Sequence, residues 1–400
     1  MEPSVAQPLR GITVIDLGQI YNGPYCSFLL AMAGARVIKI EPPGGEHLRR
    51  RSVVGGAALP FAMLNSNKSC VTLNLKTARG REILLEMVAR GDVLVENFAP
   101  GTMDRLGVGY DILRQRNPRL IYASGSGYGL SGPNRDFPAM DLTVQAIAGV
   151  MSVTGFPDRP PVKSGPALCD FFGGVHLYGA LVTALYERER TGVGRLVEVS
   201  MQEAVYPSLA SNLGLYYGLG GEAPPRTGNR HGGLAESPYN VYPTSDGYIA
   251  IICVGEAHWR SLIKVMGREE LGDDPRFASL GDRVAHMDEV DEVVSTFTQR
   301  YPKQELFELL MRNRVPCAPV RDLTDVVNDA HMHARGALRW VDHPQYGRVV
   351  LPGSPLRFEG AEPLPLEPSG ALGRDNATIY SEWLGLDQAE LAALRKDQVI

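Results

Sequence analysis

The chain has 400 residues, of which 44% are hydrophobic and 21% are charged, and its formal net charge is −5. Such a composition is typical of a globular protein with a large core and two or three domains. The negative charge argues against a nucleic-acid-binding protein, and no apolar run reaches the roughly 18 residues of a membrane span. The segment Met1–Arg10 lacks the apolar core of a signal peptide. We therefore expect a cytoplasmic protein with no nucleic-acid or membrane partner.

Strand and helix patterns alternate along the first half of the chain. Short apolar runs predict strands at 12–15, 37–40, 93–95, 120–123 and 196–199. Apolar residues at helical spacing predict helices over 22–34, 78–91, 142–152 and 173–187. Asn22 is placed to cap the first of these helices. The alternation predicts a mostly parallel, doubly wound sheet of the Rossmann-like α/β class.

A change of composition marks the boundary between two domains. Around residues 215–235 the chain is rich in Gly, Pro and Arg, which indicates a linker or a mobile loop. Beyond it, the strand and helix patterns are those of a smaller α+β domain, and short strands and a final helix follow residue 330. We predict a large domain over 1–220, a smaller domain with linkers over 221–330, and a return to the large domain over 331–400.

Neither a metal nor a nicotinamide cofactor is indicated by the motifs. The five cysteines are scattered and have no CxxC spacing, so they fit a reducing compartment and do not indicate a zinc site. His331 and His333 form an HxH pair that we interpret as part of a solvated loop. The turn after the first strand holds only Gly18 and Gly23, and this spacing does not match the GxGxxG dinucleotide motif.

Asp170 is the most informative single residue. It ends a stretch of small and apolar residues, and it precedes Phe171-Phe172-Gly173-Gly174, which opens an apolar helical pattern. A carboxylate near a helix start is favoured by the free backbone N–H groups there, and the two glycines allow a ligand to approach the backbone. Asp170 is therefore a candidate nucleophile as well as a candidate helix cap. The adjacent Cys169 has no base beside it, and we interpret it as a buried apolar side chain.

Other polar residues occupy positions where a ligand can bind. The segment Asn97–Gly101 directly follows a predicted strand, where open α/β sheets bind ligands. Taken in isolation, the segment is better explained as a turn that begins with Asn. Lys76 and Arg105 flank this segment in sequence and are either phosphate ligands or solvated charges. Asp141 begins a helix. It is either an acid of the first helical turn or a second carboxylate that faces Asp170 and raises one of the two pKa values.

A series of short motifs runs from about Leu9 to Gly360. It comprises Gly11–Asp16, Gly23-Pro24, Gly34–Glu41, Asn67-Lys68, Leu73–Thr77, Val95–Phe98, Pro100-Gly101, Gly127–Gly129, Asp141-Leu142, Asp170 with Gly173, Tyr239–Pro243 and Val315–Val320. No single motif is decisive. In this order and over this length, they resemble the class III coenzyme A transferases, the group of formyl-CoA transferase and carnitine-CoA transferase.

The resemblance implies a fold and a set of site residues. In the implied fold, a Rossmann-like large domain is built from both ends of the chain, and two ring-like chains interlock as a homodimer. The implied catalytic residues are Asp170, Asp141, Gly232 and Gly233, and the two glycines stand where a glycine-rich loop covers the active site. The implied coenzyme A site comprises Gln19, Ile20, Leu73, Lys76, Asn97, Phe98 and Arg105.

The resemblance also implies a reaction, the transfer of coenzyme A from an acyl-CoA thioester to a carboxylic acid. Asp170 would form an acyl anhydride and then an aspartyl-CoA thioester, with coenzyme A as a co-substrate and no permanently bound cofactor. Tyr21 stands where formyl-CoA transferase has a glutamine, which argues against a formyl or oxalate substrate. Arg230, His231 and Arg49–Arg51 either bind a second carboxylate, as in succinate, or are phosphate ligands or solvated charges.

Alternative functions stay open. Related racemases use a histidine and an aspartate for proton transfer at the α-carbon. Met140 stands at the position of that histidine, and a thioether cannot carry a proton, so the transferase is favoured. An intramolecular transfer between two carboxyl groups of one diacid is a further variant. A coenzyme A-binding protein without chemistry is the alternative from a different class.

Overall fold

The computed structural model describes residues 7–51 and 59–400. Part of Met1–Arg10, on which the expectation about a signal peptide depends, lies outside these residues. The chain forms two compact units, the first comprising Met1–Val144, Pro166–Val205 and Asp329–Ile400 and the second Gln145–Gly165 and Tyr206–Asn328. The first unit therefore draws on both ends of the chain. The predicted division at residues 220 and 330 stays a prediction. In the compact units, 145–165 and 206–220 group with the second unit.

The first unit is built on a parallel sheet of six strands. The strands are β1 Thr13–Asp16, β2 Arg36–Glu41, β3 Lys68–Thr72, β4 Val93–Glu96, β5 Ile121–Ser126 and β6 Leu196–Ser200. They are hydrogen-bonded in the order β3-β2-β1-β4-β5-β6, with Val14 opposite both Val37 and Val93. The strand order reverses between β1 and β4, which is where open α/β sheets bind ligands. The mixed α/β class with a parallel sheet is thus confirmed, and β3 is a strand that the sequence patterns do not predict.

Helices cover both faces of this sheet. The α-helices of the described residues are α1 Asn22–Met32, α2 His47–Arg50, α3 Leu59–Asn65, α4 Ala78–Arg90, α5 Thr102–Arg105, α6 Tyr110–Arg116, α7 Asp141–Ile147, α8 Val150–Val153, α9 Leu168–Thr191, α10 Met201–Val205, α11 Ala210–Gly218, α12 Glu256–Met266, α13 Leu280–Ala285, α14 Met287–Thr298, α15 Lys303–Arg312, α16 Leu323–Val327, α17 Ala330–Ala334 and α18 Gln388–Lys396. On one face, Ile83 of α4 packs in a cluster with Ile15 of β1 and side chains of α18. On the other, Leu30 of α1 and Leu177 of α9 share a cluster with Val14. A parallel sheet covered in this way requires continuous apolar strands.

Helix α9 is the longest element that the sequence predicts, and it begins five residues before the predicted start at 173. By length and composition alone it is apolar enough to cross a membrane, and 44% of its most apolar window is buried inside the protein. Leu177, Leu181 and Leu185 lie in the apolar cluster against the sheet. This packing is that of a core helix. The predicted helix over 142–152 is two helices, because Gly149 adopts φ 87° and separates α7 from α8.

The second unit has its own sheet and core. Its antiparallel strands are β7 Tyr239–Pro243, β8 Tyr248–Ile252 and β9 Cys317–Pro319, in the order β7-β8-β9. Trp259, Phe277 and Val290 pack against this sheet in an apolar cluster. A hairpin of β10 Leu338–His343 and β11 Gly347–Pro352 belongs to the first unit.

Candidate active site

A cavity of about 320 Å³ lies at the carboxyl ends of β1, β4 and β5. Its lining includes Gln19, Ile20, Asn22, Asn97–Pro100, Gly125–Gly127, Pro138–Met140 and Asp170. The cavity thus occupies the edge of the sheet where the strand order reverses, the position at which α/β sheets bind ligands. It brings together five residues that the resemblance implies for the site, namely Gln19, Ile20, Asn97, Phe98 and Asp170.

The side chain of Asn97 joins the turns that follow β1 and β4. Its Oδ1 accepts a hydrogen bond from the Gln19 N–H (2.6 Å), and its Nδ2 donates to the Gln19 carbonyl (2.9 Å). Gly23 is needed here, because a Cβ at this position would lie 3.0 Å from Asn97 Oδ1. Ile20 adopts φ 63°, a left-handed conformation that a β-branched residue rarely takes. The cavity wall therefore contains a strained turn held by a tertiary contact, as is common at functional sites.

A buried charged network supports this turn. The Asp16 carboxylate accepts hydrogen bonds from Lys68 Nζ (3.0 Å) and Ser27 Oγ (2.7 Å), and both members of the Asp16–Lys68 ion pair are fully buried. Asp16 also accepts from the Gly18 N–H (2.8 Å), and Lys39 Nζ donates to the Gly18 carbonyl. Burial alone raises the pKa of Asp16, but Lys68 and Lys39 together with these hydrogen bonds lower it below its ordinary value. Burial lowers the pKa of Lys68 to about 8, although Asp16 opposes this shift.

Asp170 lies in the first turn of α9 at the cavity wall, and 8% of its surface is exposed. Oδ1 of Asp141, the first residue of α7, accepts hydrogen bonds from the backbone N–H groups of Cys169 (2.8 Å) and Asp170 (3.3 Å). Asp141 thus satisfies the start of α9 from another helix. Because α9 begins at Leu168, Asp170 does not cap it, and the interpretation of Asp170 as a helix cap is wrong.

The pKa of the Asp170 carboxyl group is raised to about 7. Burial is the largest cause, the negative charge of Asp141 adds to it, and Arg51 opposes it. No side chain among residues 7–51 and 59–400 donates a hydrogen bond to this carboxylate. Its basicity and its lack of a hydrogen-bonded partner both favour a nucleophilic role. Burial also raises the pKa of the Cys169 thiol to about 12, so this thiol is not ionised at neutral pH and is not a competing nucleophile.

Three residues of the implied coenzyme A site do not line this cavity. Leu73 lies in the apolar core, Lys76 is exposed in the turn before α4, and Arg105 is exposed in α5. Gly232-Gly233 belongs to the second unit, where a backbone N–H of this pair donates to His231 Nδ1 (3.3 Å). The roles of these residues stay predictions.

Two arginines that the sequence offers for a second carboxylate already have acidic partners. Arg230 donates to Asp288 (2.6 Å) and to Asp291 (2.7 Å). The Arg49 guanidinium binds Glu41 through Nε (2.7 Å) and Nη2 (2.8 Å). Both guanidinium groups are therefore neutralised by the protein itself.

The structure also places residues at the cavity that sequence reasoning misses. The sequence predicts that Asn22 caps α1, and this prediction is wrong, because α1 begins at Asn22 itself and no side chain caps it. The Asn22 side chain is buried at the cavity wall, and His47, Ser126 and Arg135 also line the cavity. The position of Ser126 at the end of β5 is a signal that could have identified it.

Among the described residues, no cluster of three or more His, Cys, Asp or Glu side chains is arranged for a metal ion.

Comparison with known proteins shows the family to which the chain belongs. Residues 9–376 match CoA-transferase family III. Formyl-CoA:oxalate CoA-transferase of Streptomyces avermitilis is 38% identical over 413 residues, which cover 99% of this chain and 100% of the relative. Acetyl-CoA:oxalate CoA-transferase of Acetobacter aceti is 40% identical over 381 residues, 94% of this chain and 96% of the relative. The crystal structure of a CaiB/BaiF family protein from Brucella suis is similar with a TM-score of 0.83 and 33% identity, covering 94% of this chain and 100% of that chain. The chain therefore belongs to CoA-transferase family III, and it is a CoA-transferase.

Proposed function

We propose that this enzyme moves coenzyme A from an acyl-CoA thioester to a carboxylic acid, with Asp170 as the covalent carrier. The setting of Asp170 is the observation that supports this most directly. Its carboxyl group is buried at the wall of a cavity at the ligand-binding edge of the sheet, and its pKa is raised to about 7. The charge of Asp141, which accepts a hydrogen bond from the Asp170 N–H, contributes to this rise. At neutral pH a large fraction of Asp170 is ionised and able to attack.

The reaction proceeds by four exchanges of acyl bonds. The Asp170 carboxylate attacks the thioester carbonyl, an aspartyl–acyl anhydride forms, and coenzyme A leaves as the thiolate. The thiolate attacks the aspartyl carbonyl, which releases the donor acid and leaves an aspartyl-CoA thioester. The acceptor carboxylate then attacks this thioester and forms a second anhydride with loss of thiolate. Finally the thiolate attacks the carbonyl of the acceptor, and the new acyl-CoA leaves with Asp170 again a carboxylate. Each step breaks one acyl–sulfur or acyl–oxygen bond and forms another, so no oxidant or reductant is consumed.

Asp141 acts as a positioning residue in this scheme. Its hydrogen bonds to two backbone N–H groups fix the first turn of α9, and its charge keeps the pKa of Asp170 high. Backbone N–H groups near Gly232-Gly233 or at Phe171 are the two proposed alternatives for stabilising the oxyanions of the reaction.

Coenzyme A acts as a co-substrate along the turns after β1 and β4. Gln19, Ile20, Asn97 and Phe98 line the cavity there. Leu73, Lys76 and Arg105 are assigned to the nucleotide portion on the resemblance. We further propose a cytoplasmic enzyme that works as an interlocked homodimer.

A small dicarboxylic acid is the proposed substrate class. Both relatives described above are named for oxalate, the smallest dicarboxylate. The ring of Tyr21 stacks on Phe171, the residue after Asp170, with 5.9 Å between centroids. Tyr21 therefore differs in size and polarity from the glutamine that formyl-CoA transferase has at this position. A larger diacid such as succinate, with succinyl-CoA as donor, is therefore to be assayed as a substrate beside oxalate.

Asp170 variants test the proposed chemistry. We expect Asp170→Ala and Asp170→Asn to lose at least about 10³-fold in kcat when succinyl-CoA, acetyl-CoA and formyl-CoA are each offered with a panel of mono- and dicarboxylic acids. Chromatography of the acyl-CoA products measures the exchange. The control is Asp111→Asn, which changes an exposed acid of α6 outside the cavity and should leave turnover unchanged. Full turnover by Asp170→Ala would contradict the proposed function.

A further inference from the structure

The carboxamide of Asn22 is a polar group at the cavity wall to which the reaction scheme assigns no role. Asn22 is 2% exposed, and both its Nδ2 and its Oδ1 are buried without a hydrogen-bond partner among the described residues. The residue lines the same cavity as Asp170. A buried polar group without a partner destabilises a protein, because it has lost its hydrogen bonds to water and gained none in return. Such groups are rare, and each one requires an explanation.

Two glycines make the space that this amide occupies. A Cβ on Gly125 of β5 would lie 3.1 Å from Asn22 Cγ and closer still to Oδ1. A Cβ on Gly173 of α9 would lie 3.4 Å from the same Cγ and closer still to Nδ2. The carboxamide is therefore inserted between a strand and a helix at a point where neither presents a side chain. A larger residue at either glycine would displace the amide.

This slot adjoins the proposed nucleophile. Gly173 follows Asp170 by three residues in α9, which is about 4.5 Å of helix rise. The amide lies on the same side of α9 as Asp170, because residues three apart share a helix face. A rotation of the Asn22 side chain toward the cavity breaks no hydrogen bond, since the amide makes none in its slot. Its N–H groups are therefore available to an oxygen that arrives with the substrate.

We propose that Asn22 is a further catalytic residue, whose amide N–H donates to the carbonyl oxygen of the acyl group on Asp170 and stabilises the oxyanion formed there. This inference rests on the proposed role of Asp170 as acyl carrier. The Asn22 amide gains its hydrogen bond only when the acyl oxygen is present, and this bond is strongest when the oxygen is charged. It therefore lowers the barrier more than it strengthens ground-state binding.

The test compares stability with activity in Asn22→Leu, which keeps the shape of the side chain and removes both polar atoms. We expect the variant to unfold at the same temperature as the parent or a higher one, because two unsatisfied groups are removed. We expect kcat to fall about 10²-fold with KM nearly unchanged. Asn22→Ala serves as a second variant and should show the same loss of kcat. A kcat within about twofold of the parent in either variant would overturn the inference.

Rapid-quench mass spectrometry separates this inference from the proposed function. With acyl-CoA and no acceptor acid, the parent should form an adduct on the peptide that contains Asp170, and the Asn22 variants should form it about 10²-fold more slowly. Equal rates of adduct formation in parent and variants overturn the role of Asn22 alone. Absence of any adduct in the parent, together with full turnover of Asp170→Ala, overturns the proposed function instead.

Discussion

Asp16 and Asp170 are both buried in the first unit, and their surroundings give them opposite properties. Asp16 receives hydrogen bonds from Lys68, Ser27 and a backbone N–H, and its pKa is lowered. Asp170 has Asp141 as its neighbour and a pKa raised to about 7. Burial acts in the same direction on both carboxyl groups, so the difference comes from their partners. The fold uses the charge of Asp16 for its own stability and leaves that of Asp170 for a substrate.

Removal of the Asp16 charge tests whether the partners of this carboxylate stabilise the fold. It should have the largest effect on stability. Asp16→Asn leaves Lys68 and Lys39 buried together without their anion, and we expect the free energy of unfolding to fall by about 3–5 kcal/mol. Lys68→Met should cost less, because Asp16 keeps its hydrogen bonds from Ser27 and Gly18. Urea denaturation at neutral pH measures both.

A matched surface pair provides the control for these variants. Asp111 and Arg114 form an exposed ion pair in α6, and Asp111→Asn should change the free energy of unfolding by less than about 1 kcal/mol. Because the pKa of Asp16 is lowered, its contribution is present above the ordinary value of 3.8 and is lost as the pH falls through the folded-state value. If Asp16→Asn and Lys68→Met lowered the free energy of unfolding by no more than Asp111→Asn does, the buried network around Asp16 would not be stabilising.

Glu96, at the end of β4, is a third buried carboxyl group, with surroundings between those of Asp16 and Asp170. It accepts a hydrogen bond from the Phe98 N–H (2.8 Å), yet burial still raises its pKa to about 7. A raised pKa means that stability is lost as the pH rises from the ordinary value of 4.5 to about 7. Glu96→Gln lacks this loss. We expect the free energy of unfolding of Glu96→Gln, taken relative to that of the parent, to rise by up to about 3 kcal/mol from about pH 5 to about pH 8.

Denaturation at the two pH values measures this gain. The comparison of parent and variant at each pH cancels every other group that titrates in the same range. A stability difference between Glu96→Gln and the parent that is the same at both pH values would show that Glu96 is not the raised carboxyl.

Asp141→Asn should have the smallest effect, on the pH dependence of the reaction. The asparagine oxygen can still accept the hydrogen bonds from the start of α9, but the negative charge beside Asp170 is gone. In the parent, kcat/KM should rise with pH through about 7, as Asp170 ionises. In the variant we expect this rise at lower pH, with most of the shift from the ordinary value retained, because burial is the larger cause. A midpoint that is unchanged or higher would show that Asp141 does not act on Asp170 by its charge.

The parts of the fold that depend on local pattern could be predicted from the sequence, and the parts that depend on distant partners could not. The apolar runs of β1, β2, β4 and β5 predict the parallel sheet. Strand β3 escapes prediction because its first residue, Lys68, is a charge whose burial is stabilised by Asp16, a residue 52 positions away. The start of α9 is misplaced for a similar reason, since its cap is the side chain of Asp141.

In the site, too, features that depend on local sequence pattern could be predicted, and features that depend on distant contacts could not. Asp170 and Asn97 stand out because each lies at a sheet edge or helix start that the pattern predicts. The bridge between Asn97 and Gln19 and the unpartnered amide of Asn22 depend on contacts between turns far apart in sequence. No local signal distinguishes a capping asparagine from one inserted between two glycines.

Oxygen exchange at Asp170 is the decisive test of its role as the covalent carrier. In each complete transfer, the acceptor oxygen that attacks the aspartyl-CoA thioester stays on Asp170 when the thiolate removes the acceptor acyl group. With an acceptor acid labelled with ¹⁸O in both carboxylate oxygens, we expect the Asp170 peptide to gain one heavy oxygen after the first turnover and a second during later turnovers. Trypsin cleaves after Lys163 and so separates Asp170 from Asp141, whose peptide should stay unlabelled. An unlabelled Asp170 peptide after many turnovers would contradict the covalent role of this residue.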